Sequence, residues 1–164
     1  ARDMFLFSFY TRGMSFIDMA YLKKSDLKNG ILTYRRRKTG QQLTIKWEKC
    51  MEEIVTKYAG YSATQYLLPI ITNPLADERK QYRNAIFRVN TALKEVARWA
   101  ALQMPLTMYC ARHGWASIAK SKNIPLSVIS EGMGHDSEET TRIYLASLDT
   151  SVVDRANSLI LKDL

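Results

Sequence analysis

The sequence predicts a mainly helical α+β fold with one small β-hairpin sheet, and three observations carry that prediction. Apolar residues recur at spacings of three and four along much of the chain, above all from Asp77 to Leu102 and from Trp47 to Tyr58. Only Ile31 to Ile45 sets β-branched and aromatic residues on both sides of a turn pair, Thr39-Gly40. With 164 residues and 46% hydrophobic content, the chain can build one real core and is short for two. Residues 1–164 are therefore expected to form a single domain.

Taken in order, the first helix runs from Arg2 to about Arg12 and is broken by Gly13. Ser15 as N-cap and Asp18 three residues on form a capping box that opens a second helix, whose Ile17, Met19, Ala20, Tyr21 and Leu22 are core candidates. In the hairpin, Arg35, Arg36, Arg37 and Lys38 precede the turn, either as a solvated charge run or as contacts to a polyanion. Trp47 to Tyr58 buries one helical face. Residues 59–76 form a connection in which Pro69 and Pro74 prevent regular helix while Leu67, Leu68, Ile70 and Ile71 pack on the body.

Asp77 to Leu102 is the longest helix, with Ile86, Val89, Leu93, Val96 and Ala97 on one face and basic residues around the rest. Pro105 ends that segment, and Thr107 caps a helix on which Tyr109 and Arg112, three apart, share a face. His113 points elsewhere and is assigned a core hydrogen bond. Ser127 to Glu131 forms a short capped helix, after which Gly132 and Gly134 let the chain turn and present His135. Tyr144 follows in a Thr-x-x-Tyr pattern, and Asp149 to Leu164 is a last amphipathic helix with Val152, Val153, Ala156, Leu159 and Ile160 on one side.

Charge and composition limit the partners. Lys and Arg outnumber Asp and Glu 24 to 16, giving a formal charge of +8 and a pI near 9.5, which favours a polyanion such as DNA. Cys50 and Cys110 form no paired motif, so neither a disulfide framework nor a zinc site is expected, and a reducing cytoplasm fits. Two histidines and no carboxylate cluster at ligand spacing argue against any metal or other cofactor. The longest apolar run, Tyr66 to Ile71, is interrupted by Pro69, so no membrane span is expected. Because the chain opens directly on a helical pattern without a leader, a fragment of a longer protein is expected.

Several of these motifs, in this order, resemble the catalytic half of the tyrosine recombinases, the integrase family that cuts and rejoins DNA through a phosphotyrosine link. They are TRGMSFIDMAYLKKSDL (Thr11 to Leu27), the lysine before the Thr39-Gly40 turn, the Arg112-His113 pair, the Gly134-His135 turn and Tyr144 nine residues after it. The resemblance implies the recombinase catalytic-domain fold and a site-specific recombinase that integrates a mobile element or inverts a segment. It also implies a nucleoid-associated cytoplasmic enzyme, monomeric when free and tetrameric on double-stranded DNA, with a core-binding module before Ala1. Tails such as Asp149 to Leu164 dock in that family onto a neighbouring protomer; folding back onto the same domain is the other reading.

The resemblance also assigns roles. Tyr144 becomes the nucleophile, with Arg112, His135 and Lys38 around the phosphate, and Arg35, Arg36, Arg37 and Lys38 on the DNA. Two positions depart from the pattern: Ser15 stands where the first catalytic arginine is usual, and Tyr109 where a histidine is usual. Arg12 or the Arg35 to Arg37 run is the candidate replacement for the first; Tyr109 can donate one hydrogen bond but, with an ordinary pKa of about 10, cannot be a cation near neutrality.

The chemistry accounts for the residue types. Attack on a phosphodiester loads negative charge onto the non-bridging oxygens, and fixed donors aimed there lower the barrier. A planar guanidinium suits two such oxygens, a histidine adds one bond, and a mobile lysine can protonate the leaving 5′ oxygen. The covalent 3′ phosphotyrosine conserves the energy of the broken bond, so religation needs no ATP. Two rivals follow from the departures: a DNA-binding protein of the same fold that has lost the chemistry, and a type IB topoisomerase-like enzyme.

Overall fold

A three-stranded antiparallel sheet and a shell of helices organise residues 1–61 and 63–146, the part that a computed structural model of the chain describes. The helices are α1 (Arg2–Tyr10), α2 (Phe16–Ala20), α3 (Lys49–Tyr58), α4 (Glu78–Trp99), α5 (Met108–Ser121), α6 (Leu126–Met133) and α7 (Glu138–Ala146). The strands β1 (Leu27–Lys28), β2 (Ile31–Arg35) and β3 (Gln42–Lys46) lie in that order. The helix expected over Asp149 to Leu164 lies outside the described residues.

Nearly every predicted element is present, with shifts at the ends. The connection at 59–76 packs as expected, with Leu68, Ile70 and Ile71 buried. Trp47 belongs to the strand exit rather than to α3, and its ring meets Phe7 edge-on at 6.1 Å. Helix α6 starts at Leu126 with Pro125, not Ser127, at the cap, because proline's fixed φ already suits a helix entry. The hairpin reading counted two strands, and the sheet has three. β1 joins β2 through Asn29 and Gly30, whose φ values of 51° and 72° are those of a two-residue hairpin turn, so Leu27 pairs with Leu32 and Lys28 with Ile31.

Two apolar clusters hold the described residues together. The larger centres on Phe7, Met19, Leu22, Leu32, Leu68, Ile71 and Leu93, gathering α1, α2, the inner face of the sheet and α4. The smaller joins α5, α6 and α7 through Ala116, Ile129, Met133 and Leu145. Helices α1 and α5 pack side by side and link them. Across the larger cluster, buried Asp3 on α1 accepts from Lys57 Nζ at 2.6 Å and Tyr58 Oη at 2.8 Å on α3; these bonds, the lysine's first, hold its carboxyl down at about 2.

Asp18 joins α2 to the hairpin. Ser15 Oγ accepts from the Asp18 backbone N–H at 3.3 Å, the predicted cap, and donates to Asp18 Oδ2 at 2.6 Å. Asp18 Oδ1 accepts from the Arg37 backbone N–H at 2.9 Å, and Arg36 Nε lies 3.9 Å from Oδ2. The carboxylate is buried, so its removal strands the polar groups it serves. Asp18→Ala is expected to cost about 2–3 kcal/mol and Ser15→Ala about 1 kcal/mol, measured by urea unfolding; equal losses would show that the carboxylate does no more than the cap.

Candidate active site

Strand alternation decides which basic residues of the hairpin turn inward. Along β2, Leu32 and Tyr34 are buried and Ile31 and Arg35 exposed, and the same parity carries Arg36 inward just past the strand end. Arg36 is only 7% exposed. Arg35, on the other face, donates to Gly40 O at 3.0 Å, and the Arg37 guanidinium lies 3.9 Å over the Tyr21 ring. Lys38 is exposed at the hairpin tip, on the rim of the same pocket as Arg36.

Helix α5 delivers the second arginine. Arg112, also 7% exposed, donates from Nη1 to Gly13 O at 2.9 Å and from Nη2 to Met133 O at 2.8 Å. Gly13 is required at that contact: its φ is +74°, and a Cβ there would sit 2.7 Å from Arg112 Cα. Arg36 Nη1 donates to the very next carbonyl of the turn, Gly134 O. Two guanidinium groups therefore hold consecutive carbonyls at the C-terminal end of α6, where the helix dipole favours positive charge. Gly134, with φ +64°, ends that helix, and a Cβ there would lie 2.7 Å from Arg36 Cδ.

His135 leaves this turn half-buried and lines the pocket with Arg36, Lys38 and Arg112. Burial, and after it the charges of Arg112, Arg36 and Lys38, lower its pKa to about 4 against a weaker opposing pull from Asp136, so the ring is neutral near pH 7. Its Nδ1 is 2.7 Å from Thr141 Oγ1 on α7. Tyr144 lies one turn further along α7, in its last described turn.

The other predicted residues separate into two groups. Ser15 and Tyr109 line the pocket, Ser15 as the cap of α2 and Tyr109 59% exposed on α5. The Tyr109 ring meets His113 edge-on at 4.4 Å; His113 lies outside the lining, and burial followed by the charge of Arg112 lowers its pKa. Arg12, with φ 61°, is not among the lining residues; its Cδ lies beside Gly132, where Trp115 also packs. The cation beside Arg112 in the pocket lining is thus Arg36, which the sequence pattern assigns to DNA contact and, only as part of the Arg35 to Arg37 run, to the site. Asp18 was read as a capping residue alone. Parity from Leu32 and Tyr34 was the available signal for Arg36, and no local signal marked Asp18.

Among the described residues no group of three His, Cys, Asp or Glu side chains could hold a metal ion. None of their helices is long and apolar enough to cross a membrane.

Comparison with known proteins agrees with this architecture. The chain is 30% identical over 143 residues to a probable integrase/recombinase protein of Methanocaldococcus jannaschii, covering 84% of this chain and 41% of that protein. It is 26% identical over 155 residues to the tyrosine recombinase XerA of Pyrococcus furiosus, covering 92% and 52%. The chain thus spans about half the length of these relatives. Among solved structures, the XerH site-specific recombinase in a post-cleavage complex with a palindromic difH substrate superposes with a TM-score of 0.68 at 20% identity, over 96% of this chain and 44% of that one. The Tn1549 transposon integrase bound to transposon right-end DNA gives 0.66 at 15% identity, over 98% and 58%. These two likenesses establish the fold. With the phage integrase family profile matching residues 3–151, nearly the whole chain, this domain belongs to that family of tyrosine recombinases.

Proposed function

We propose that this domain cuts and rejoins DNA at specific sites through a 3′-phosphotyrosine on Tyr144. The observation that carries the proposal is the convergence of Arg36, Arg112, His135 and Lys38 on one pocket beside the helix that bears Tyr144. Such a pocket suits the trigonal-bipyramidal phosphate of a transesterification, whose extra charge falls on the non-bridging oxygens. Relatives bearing the names integrase and recombinase, and neighbours solved on recombination-site DNA, support the same reading.

In this mechanism the Tyr144 oxygen attacks the scissile phosphorus, the bond to the 5′ oxygen breaks, and Lys38 supplies that oxygen with a proton. Arg112 and Arg36 hold the non-bridging oxygens from two sides, and His135 adds a neutral donor. Arg36 thereby takes over the task of the arginine absent at Ser15, while Ser15 caps α2 and helps Asp18 hold the hairpin. Tyr109, on the rim, donates one hydrogen bond to the phosphate. Arg12 has no direct part. A buried Arg36 in the pocket supports an active enzyme over a silent DNA-binding relative, because a second cation is what the silent reading lacked. Arg35 and Arg37 contact the DNA backbone. The domain works with a core-binding module on the opposite face of the duplex, as a tetramer on its recombination sites, in the nucleoid-bearing cytoplasm.

Trapping on a nicked suicide substrate carrying the cognate site, with the intact parent protein, tests the proposal directly. Tyr144→Phe is expected to abolish the denaturant-resistant adduct; an adduct of undiminished yield would place the nucleophile elsewhere. Arg36→Ala is expected to slow adduct formation about 10²–10³-fold, whereas Arg12→Ala changes it less than about tenfold. The reverse ranking would return the first-arginine role to Arg12.

DNA binding and acid stability provide further checks. Arg35→Ala and Arg37→Ala are each expected to reduce the slope of log K against log[salt] by about one, with little change in sequence preference. A histidine pKa lowered by folding contributes stability that is complete above the unfolded value near 6.5 and is lost as pH falls toward about 4. The urea midpoint should therefore drop more between pH 7 and pH 4.5 in the unaltered protein than in His135→Asn. Equal drops would mean that the ring is not held neutral.

A further inference from the structure

The turn histidine also contacts the helix that carries Tyr144. His135 Nδ1 lies 2.7 Å from Thr141 Oγ1, and Thr141 is fully buried. The His135 backbone N–H donates to Ser130 O at 3.0 Å. Residue 135 is thus bonded to α6 through its main chain and to α7 through its ring. Thr141 is one helical turn ahead of Tyr144.

A neutral imidazole in a 2.7 Å contact with a hydroxyl has two forms. If the hydroxyl donates, the ring proton resides on Nε2 and that nitrogen is a donor; if it accepts, the proton is on Nδ1 and Nε2 offers a lone pair. The anion that the proposed function brings to the pocket discriminates between them. Arg112, Arg36 and Lys38 face the ring, and the Asp136 carboxylate faces it as well. A site of that sign collects an anion, toward which a lone pair is repelled and an N–H attracted. Threonine can meet the requirement because its hydroxyl both donates and accepts, whereas a backbone carbonyl in its place would force the other tautomer.

We infer that Thr141 is a positioning residue whose hydroxyl donates to His135 Nδ1, holding the imidazole in the Nε2–H form as an uncharged donor to the phosphate. This inference rests on the function proposed above. Donor and nucleophile then form one unit: the histidine has its correct tautomer only while α7 is seated against α6, so displacement of the nucleophile helix also dismantles phosphate recognition. A site built this way does not retain a half-competent state when the helix moves.

The test is long-range ¹H–¹⁵N NMR of the chain at pH 7, without DNA, which reports the protonation of each ring nitrogen. The sequence has two histidines, and loss of one signal set in His135→Asn assigns the ring. The expected result is a protonated Nε2 and a bare Nδ1, kept in Thr141→Ser and replaced by a mixture of tautomers in Thr141→Val. Adduct formation in the parent protein should fall about tenfold in Thr141→Val, with DNA affinity unchanged, and return in Thr141→Ser to within about twofold.

A proton on Nδ1 in the unaltered chain would overturn the inference, as would a folded Thr141→Val variant with the original tautomer. Should Thr141→Val fail to fold, the ring of the unaltered chain and of Thr141→Ser still decides. The tautomer is read without DNA, so a Tyr144→Phe protein that still forms adduct would remove the proposed function without being mistaken for a failure of the Thr141 contact.

Discussion

Two buried guanidinium groups on consecutive carbonyls are the constraint around which the site is built. Arg112 reaches Met133 O and Gly13 O, and Arg36 reaches Gly134 O, so the turn that presents His135 is held from α5 on one side and from the sheet on the other. Burying a charge is costly unless it is paired, and the Asp18 carboxylate lies 3.9 Å from Arg36 Nε. Carbonyl dipoles at the end of α6 carry part of that cost.

Glycine makes these contacts possible at two points. At Gly13 and Gly134 the backbone takes a positive φ, and at both a side chain would collide with one of the arginines, Arg112 Cα in the first case and Arg36 Cδ in the second. The α1–α2 turn and the end of α6 are thereby brought within reach of the same pair of cations. Asp18 extends the connection outward: through Ser15 it holds the start of α2, and through the Arg37 N–H it fixes the backbone from which Arg36 projects. The pocket is thus assembled from residues far apart in sequence, and its two buried arginines are anchored to main-chain carbonyls, which keeps their geometry fixed before any ligand arrives.

The two departures from the family pattern have different structural outcomes. Ser15, where the family pattern has an arginine, caps a helix of only five residues, and a cation from the hairpin, Arg36, lines the same pocket. Tyr109 keeps a polar hydroxyl at the rim of the pocket and rests edge-on against His113. Neither change leaves a hole in the site. Tyr109 stays on α5, whereas the hairpin brings to the pocket a buried arginine as well as the lysine at its tip.

What the sequence by itself determined is considerable. Apolar periodicity located the helices and the Thr39-Gly40 turn located the hairpin, because such signals are local to one element, and the ordered set Arg112, His135 and Tyr144 carried the family resemblance through its order along the chain. The third strand was also legible, since Asn29-Gly30 is a turn signal, yet two-residue β1 is too short to show any alternation. Only the tertiary structure shows that Arg36 lines the pocket while Arg12 does not. Both are arginines near a turn, and what separates them is a carbonyl at residue 134 and a carboxylate at residue 18, contacts that span 98 and 18 positions of sequence. The bond between His135 and Thr141 was likewise invisible, because the direction of a ring nitrogen depends on how α7 packs against α6. Periodicity reports which face of an element is buried; the partner that a buried polar group finds there is settled by packing between elements, and in this domain that packing selects the residues of the site.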